Sequence, residues 1–131
     1  MRAARVLAQA KINLLLRVGP RDQAGYHQIV TVFQRIDLAD EVLVRVGGSV
    51  RTLDCTGPRL PSRGLGAPED NLAYRAAVAY AERAKWLRGF SVELTKNIPT
   101  GGGLGGGSSD AGAVLRALDA LDPLGHGFPP F

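Results

Sequence analysis

NIPTGGGLGGGSSDAG, Asn97–Gly112, stands apart in an otherwise ordinary sequence: six of the seven residues from Gly101 to Gly107 are glycine. A glycine inside a regular element costs roughly 0.5–1 kcal/mol relative to alanine, so a run this dense is a loop. After it, Ala111, Val114, Leu115, Leu118 and Leu121 recur at helical spacing, with Ser108 or Ser109 placed to cap the helix start. Before it, FSVEL (Phe90–Leu94) alternates as a strand does. The first turn of a helix presents unpaired N–H groups and partial positive charge. Glycines ahead of it let the backbone close on a ligand and turn amides inward, which describes a phosphate cradle.

Three phosphate motifs compete for this stretch, and context removes each. A Walker A loop needs Gly-Lys-Ser/Thr at the helix start, and here the serines follow glycine. Gly101, Gly103 and Gly106 satisfy G-x-G-x-x-G. A dinucleotide fold, however, wants an acidic ribose ligand about 20 residues on, ending a second strand. A protein-kinase loop is followed by a strand rather than a helix. A flexible linker does not end in a capped amphipathic helix.

Outward from the loop, Ile12, Leu14, Leu16 and Val18 alternate as one strand, Ile29–Ile36 reads as a second and Glu41–Val46 as a third, with LADE (Leu38–Glu41) as the turn between those two. A short strand is expected near Val50–Leu53 within a Gly/Pro/Ser-rich stretch. EDNLAYRAAVAYAERA predicts a helix capped by Asp70 or Asn71, with Leu72, Ala76, Ala79 and Tyr80 on its apolar face. Strands, a helix, a strand and a helix make an α+β domain.

Composition narrows the function. The chain has 131 residues, with 45% hydrophobic and 21% charged residues, enough for one domain with its own core. The net charge of +4 suits an anionic partner. Its basic residues are scattered and the aromatics few, which speaks against nucleic acid and for a small anionic ligand. No apolar run is long enough to cross a membrane. The single cysteine, Cys55, can form neither an internal disulfide nor a thiolate cluster, so the cytoplasm is the expected compartment. Only three basic residues are lysine, and two of them, Lys11 and Lys96, flank the most unusual motifs.

The run PTGGGLGGGSSDA resembles the second motif of the GHMP kinases, P-x-G-x-G-L-G-x-x-S-S. AQAKINLLLRV, DQAGYHQIVTVFQRIDLAD and EDNLAYRAA are similar to the branch of that superfamily that phosphorylates a cytidine diphosphate-linked polyol with ATP in non-mevalonate isoprenoid biosynthesis. The resemblance covers Ala8 to Leu121. It implies the GHMP N-terminal domain (ribosomal protein S5 domain 2-like), a mixed sheet with helices on one side, over residues 1–122.

It also implies roles. Lys11 matches the family's active-site lysine, and Asn13 is the adjacent substrate-facing position. Tyr26 and His27 match its cytosine site, a ring to stack and a nitrogen to read the base edge. Pro99, Thr100, Gly101, Gly102, Gly103, Leu104, Gly105, Gly106, Gly107, Ser108 and Ser109 match the ATP phosphate loop, and Asn71 and Lys96 the adenine and ribose pocket. Asn71 also reads as a plain helix cap, Lys96 as a strand-end charge, and Asp110 as a helix-dipole residue. Mg²⁺ is implied with ATP, without an assigned protein metal ligand. Lys11, Tyr26 and His27 are expected to face one concave site.

The family's general base, an aspartate in a GADVPFF-type loop, has no counterpart in DPLGHGFPPF. The expectation is therefore an N-terminal portion, without the C-terminal GHMP domain and with an irregular tail over 123–131. Such a chain is expected to bind ATP weakly, turn over little, and self-associate through apolar surface at Leu118, Leu121, Leu124 and Phe128. A kinase of the homoserine or mevalonate type, or a non-catalytic nucleotide-binding module, is the alternative.

Overall fold

Residues 2–122 are described by a computed structural model of the chain, and the tail expected over 123–131, with Leu124 and Phe128, lies outside them. The element order is β1 (Arg2–Arg21), β2 (His27–Val46), β3 (Arg51–Thr56), a 3-10 turn (Pro68–Asp70), α1 (Leu72–Arg83), β4 (Phe90–Thr95) and α2 (Gly106–Leu121). The strands form one sheet in the order β1-β2-β4-β3. β1 and β2 are antiparallel, as are β2 and β4; β3 and β4 are parallel, joined by the α1 crossover. This is the mixed sheet the α+β reading implied.

Core residues alternate along the strands as period two requires. Val42, Val44 and Val46 of β2 and Phe90, Val92 and Leu94 of β4 are buried against Tyr80 of α1 and Val114, Ala117 and Leu118 of α2. Both helices thus cover one face of the sheet. The other carries Arg5, Glu41, Asp54 and Glu93, with ion pairs from Arg5 to Glu41 and from Arg45 to Glu93.

Two readings of the sequence are corrected here. LADE is not a turn: β2 runs unbroken through it, because β1 pairs along its whole length and Asp40 is buried inside the fold. The buried side of α1 is Ala73, Ala77, Tyr80 and Ala81 rather than the face begun by Leu72, which is exposed. An alanine row at i, i+4 and i+8 leaves Tyr80 as the large side chain of that contact.

The outer halves of β1 and β2 extend past the helices as an arm. Leu14, Leu16, Val18, Ile29, Val30, Val32 and Phe33 are all exposed on it. Leu118 and Leu121, expected as uncovered apolar surface, are buried in the core instead, since α2 turns that side to the sheet. The large exposed apolar surface lies on the arm.

Candidate functional site

The glycine run is a loop that hands over to a helix, but the helix begins earlier than the serines suggest. Gly105 is the N-cap, in the left-handed region at φ +70°, and no side chain caps the start. The first helical bond runs from Ser109 N–H to the Gly105 carbonyl at 3.0 Å. A left-handed residue does the turning that a serine cap would have done, and glycine adopts it without a Cβ penalty. The amides of Gly106, Gly107 and Ser108 therefore precede the helical ladder, at the positive end of the α2 dipole. All three residues line a cavity of about 410 Å³, together with Ile98–Leu104, Asn71, Lys96 and Asp110. Ser109 lies on the same first turn outside that lining.

Lys11 is fixed to the rim of this loop. Its backbone N–H donates to the Leu104 carbonyl and its Nζ to the Gly103 carbonyl, both at 2.9 Å. The same Nζ donates to Asn13 Oδ1 at 2.6 Å, and Asn13 Nδ2 donates to Thr31 Oγ1 at 2.8 Å. A polar line thus leads from the loop onto the arm. A Cβ on Gly105 would come within 3.2 Å of the Lys11 side chain, so loop and lysine are packed as one unit.

Tyr26 and His27 lie at the turn of the β1–β2 hairpin. Lys11 pairs with Arg35, whereas His27 pairs with Arg21, ten positions further along β1. At about 3.3 Å per residue that is up to roughly 30 Å of strand. Neither these two residues nor Lys11 lines the glycine-loop cavity, and the strand register alone sets the hairpin turn apart from Lys11. Tyr26 is 74% exposed. His27 Nδ1 lies 2.7 Å from the Gly19 carbonyl, which can only accept; the hydrogen therefore sits on Nδ1, and the neutral ring offers Nε2 as an acceptor.

Asn71 caps α1 through Oδ1, which accepts from Ala73 N–H at 2.9 Å, and it also lines the cavity. Lys96 is buried, and its Nζ donates to Asp40 Oδ2 at 2.5 Å and to Asp110 Oδ2 at 2.7 Å. Asp40 Oδ1 accepts from the Asn97 and Ile98 amides at 2.6 and 2.8 Å, which fixes the entry to the glycine loop. Burial pushes the Asp40 carboxyl up, but its hydrogen bonds to Lys96, Asp110 and the two amides together hold it below the ordinary carboxylate range. Burial pushes Lys96 down, and its two carboxylate partners more than reverse that. Asp110 is raised to about 7 by burial, with the Asp40 carboxylate adding to the rise and Lys96 opposing it.

Sequence reasoning passed over Asp40, and gave Asp110 a dipole role where the fold gives it a buried ion pair. It also missed Leu65, Asp70, Leu72 and Ile98 in the cavity wall. The legible signal for Asp40 was its phase: Asp40, Val42, Val44 and Val46 share one strand face, and a charge on a core face needs a partner.

Residues 71–127, from the cap of α1 onward through the glycine loop and α2, match the N-terminal domain of the GHMP kinases. Over that stretch, and in its fold, the chain is similar to the GHMP kinase N-terminal domain. Within the class it is a homologue of the 4-diphosphocytidyl-2-C-methyl-D-erythritol kinases. The enzyme of that description from Corynebacterium efficiens is 44% identical over 138 residues, covering 93% of this chain and 42% of that protein. The one from Anaeromyxobacter sp. is 49% identical over 112 residues, 86% of this chain and 35% of its own length. A crystal structure of 4-(cytidine 5'-diphospho)-2C-methyl-D-erythritol kinase superposes with a TM-score of 0.74 at 46% identity, over 92% of this chain and 41% of that one. Homoserine kinase from Cytophaga hutchinsonii shares the fold at a TM-score of 0.66 and 24% identity, over 97% of this chain and 37% of its own. The chain thus spans about two fifths of the relatives it matches.

Proposed function

We propose that this chain is the nucleotide-binding domain of an ATP-dependent kinase that phosphorylates a hydroxyl of 4-diphosphocytidyl-2-C-methyl-D-erythritol, in the cytoplasmic non-mevalonate isoprenoid pathway. The observation that carries this is the cavity lined by the glycine loop and the first turn of α2, with Lys11 bonded to the outside of that loop. Phosphoryl transfer asks a protein mainly for positioning and charge stabilisation, and amides at a helix N-terminus supply both for a polyphosphate.

In this reading Pro99–Ser109 cradle the ATP phosphates, while Asn71 and Lys96 bound the nucleoside side of the cavity. Lys11, with Asn13 beside it, faces the accepting hydroxyl and offsets charge that develops there. Tyr26 stacks on cytosine, and His27 Nε2 accepts from its amino group. An extended cytidine diphosphate-linked polyol suits sites separated along the arm, which is how the fold distributes these residues. Among the described residues no group of three or more His, Cys, Asp or Glu side chains could hold a metal. Mg²⁺ in this scheme arrives on the ATP phosphates.

The test is equilibrium titration of the purified chain with MgATP and, separately, with the cytidine diphosphate-linked polyol. Gly106→Val would force a branched side chain where a Cβ already meets Ile98 at 3.1 Å, and should weaken ATP by at least about tenfold. His27→Ala should weaken the cytidine ligand alone. No saturable ATP binding, or binding indifferent to Gly106→Val, overturns the assignment.

A further inference from the structure

The cavity wall holds more negative charge than a polyanion site favours. Two carboxylates, Asp40 from β2 and Asp110 from α2, share the single ammonium of Lys96, and all three side chains are almost fully buried. Fully ionised, the cluster carries one net negative charge. Lys96 and Asp110 line the same cavity as the first-turn amides. The two acids are not equally provided for. Asp40 has two backbone amides besides Lys96. Asp110 has no backbone donor, only Lys96 and the neighbouring Asp40 carboxyl, and its buried Oδ1 has no hydrogen-bond partner. An unpartnered buried carboxylate oxygen is costly, and a proton lowers that cost by removing the buried charge.

We propose that Asp110 is a positioning residue of this cavity that takes up a proton when a polyphosphate binds, so that nucleotide affinity falls as pH rises through neutrality. This rests on the nucleotide reading of the cavity and deepens it into a regulatory property. The new bond is O–H on Asp110, and the proton comes from solvent. The charged and titratable groups around Asp110 are Lys96 beyond β4, Asp40 of β2 and Cys55 of β3, with Lys11 of β1 across the glycine loop. Of these, Lys96 alone opposes protonation at close range, and Asp40 already engages it. Burial and Asp40 place the Asp110 carboxyl at about 7, so the group is divided between its two forms before a ligand arrives. Phosphate charge held in the same cavity disfavours the Asp110 carboxylate further, and a rise of roughly one unit is expected. Linkage then weakens ATP about tenfold between pH 6 and pH 9.

The experiment is titration calorimetry of the 131-residue chain with MgATP at pH 7.5 in two buffers of different ionisation heat, beside Asp110→Asn. The isosteric amide keeps an oxygen for Lys96 and cannot titrate. The ligand's own protonation is common to both proteins and cancels in the difference. Wild type should take up about half a proton more than Asp110→Asn. In parallel, the Asp110 carboxyl resonance of the wild-type chain should titrate about one unit higher with ATP than without, a readout independent of the variant's folding. Equal proton counts, or a carboxyl titration that ATP leaves in place, overturn the inference while the nucleotide site stands. Absence of ATP binding at every pH overturns the site and the inference together.

Discussion

Asp40→Asn tests whether the buried cluster is held together as the geometry implies. The amide keeps the Oδ1 acceptor for Asn97 and Ile98 N–H, but sets an NH₂ donor against the Lys96 ammonium, which the carboxylate meets at 2.5 Å. Lys96 keeps Asp110 as a partner, so the cost is that of one charged hydrogen bond, about 1.5–3 kcal/mol. The total stability of a domain is only about 5–15 kcal/mol, so the variant should be markedly labile. The cost should also depend on pH, and the sign follows from Asp110. In wild type its carboxyl is raised to about 7, so between pH 6 and 8 the folded chain holds a proton that the unfolded chain has released. Stability conferred by that proton is present at low pH and lost as pH rises through 7. Integrated over that interval the loss is about 1.4 kcal/mol. Without the Asp40 charge, Asp110 has Lys96 to itself and should ionise well below 7, so the variant should not show this loss. The destabilisation should therefore be about 1.4 kcal/mol smaller at pH 8 than at pH 6. Urea unfolding of both proteins at the two pH values measures it. A cost below about 1 kcal/mol would mean that Asp40 anchors nothing. Equal costs at both pH values would mean that Asp110 holds no proton in the folded chain.

Three further outcomes are expected. Lys85 follows α1 at φ +56°, while Trp86 N–H closes onto the Ala81 carbonyl at 2.8 Å; Lys85→Gly should stabilise the chain by about 1 kcal/mol in urea unfolding, and a loss would show that the lysine is not strained. Gly89→Ala would put a Cβ 2.2 Å from the Val50 carbonyl oxygen, between backbones tied by hydrogen bonds, and should cost about 3 kcal/mol or prevent soluble expression; a wild-type unfolding midpoint would contradict this. Leu16→Ser with Phe33→Ser on the exposed arm should cut the fluorescence of an apolar-surface dye and leave the unfolding midpoint alone, whereas Leu118→Ala in the core should cost about 2–5 kcal/mol; the reverse pattern would refute the placement of both.

What the sequence disclosed depended on the range of the interaction. The glycine loop and its following helix are local facts, glycine density and then an apolar repeat, and both are present in that order. The helix cap was misjudged by at least three residues, Gly105 in place of Ser108 or Ser109, because a left-handed glycine and a serine cap are alternative solutions to one problem. The apolar face of α1 was misjudged because Leu72 outweighs alanine in any hydrophobicity count. Burial there follows the alanine row instead.

The site itself depends on pairing, which no single strand reveals. β1 and β2 keep one register from Arg2–Val46 to Gln9–Ala39, then slip between Gln9 and Lys11, where β2 holds two residues more than β1. Such an irregularity re-aims the strands it interrupts. On one side of it Ala8 and Ala10 are buried in the core; on the other, Ile12 and Leu14 lie on the exposed arm. Lys11 and Asp40 stand at that junction, on opposite strands, each bonded to the segment between β4 and α2. The slip is therefore what lets one lysine reach the outside of the glycine loop while one aspartate secures its inside. Read alone, Leu38–Glu41 resembled a turn because the polar residues that mark turns also mark a charge buried for a purpose. Only the facing strand distinguishes the two.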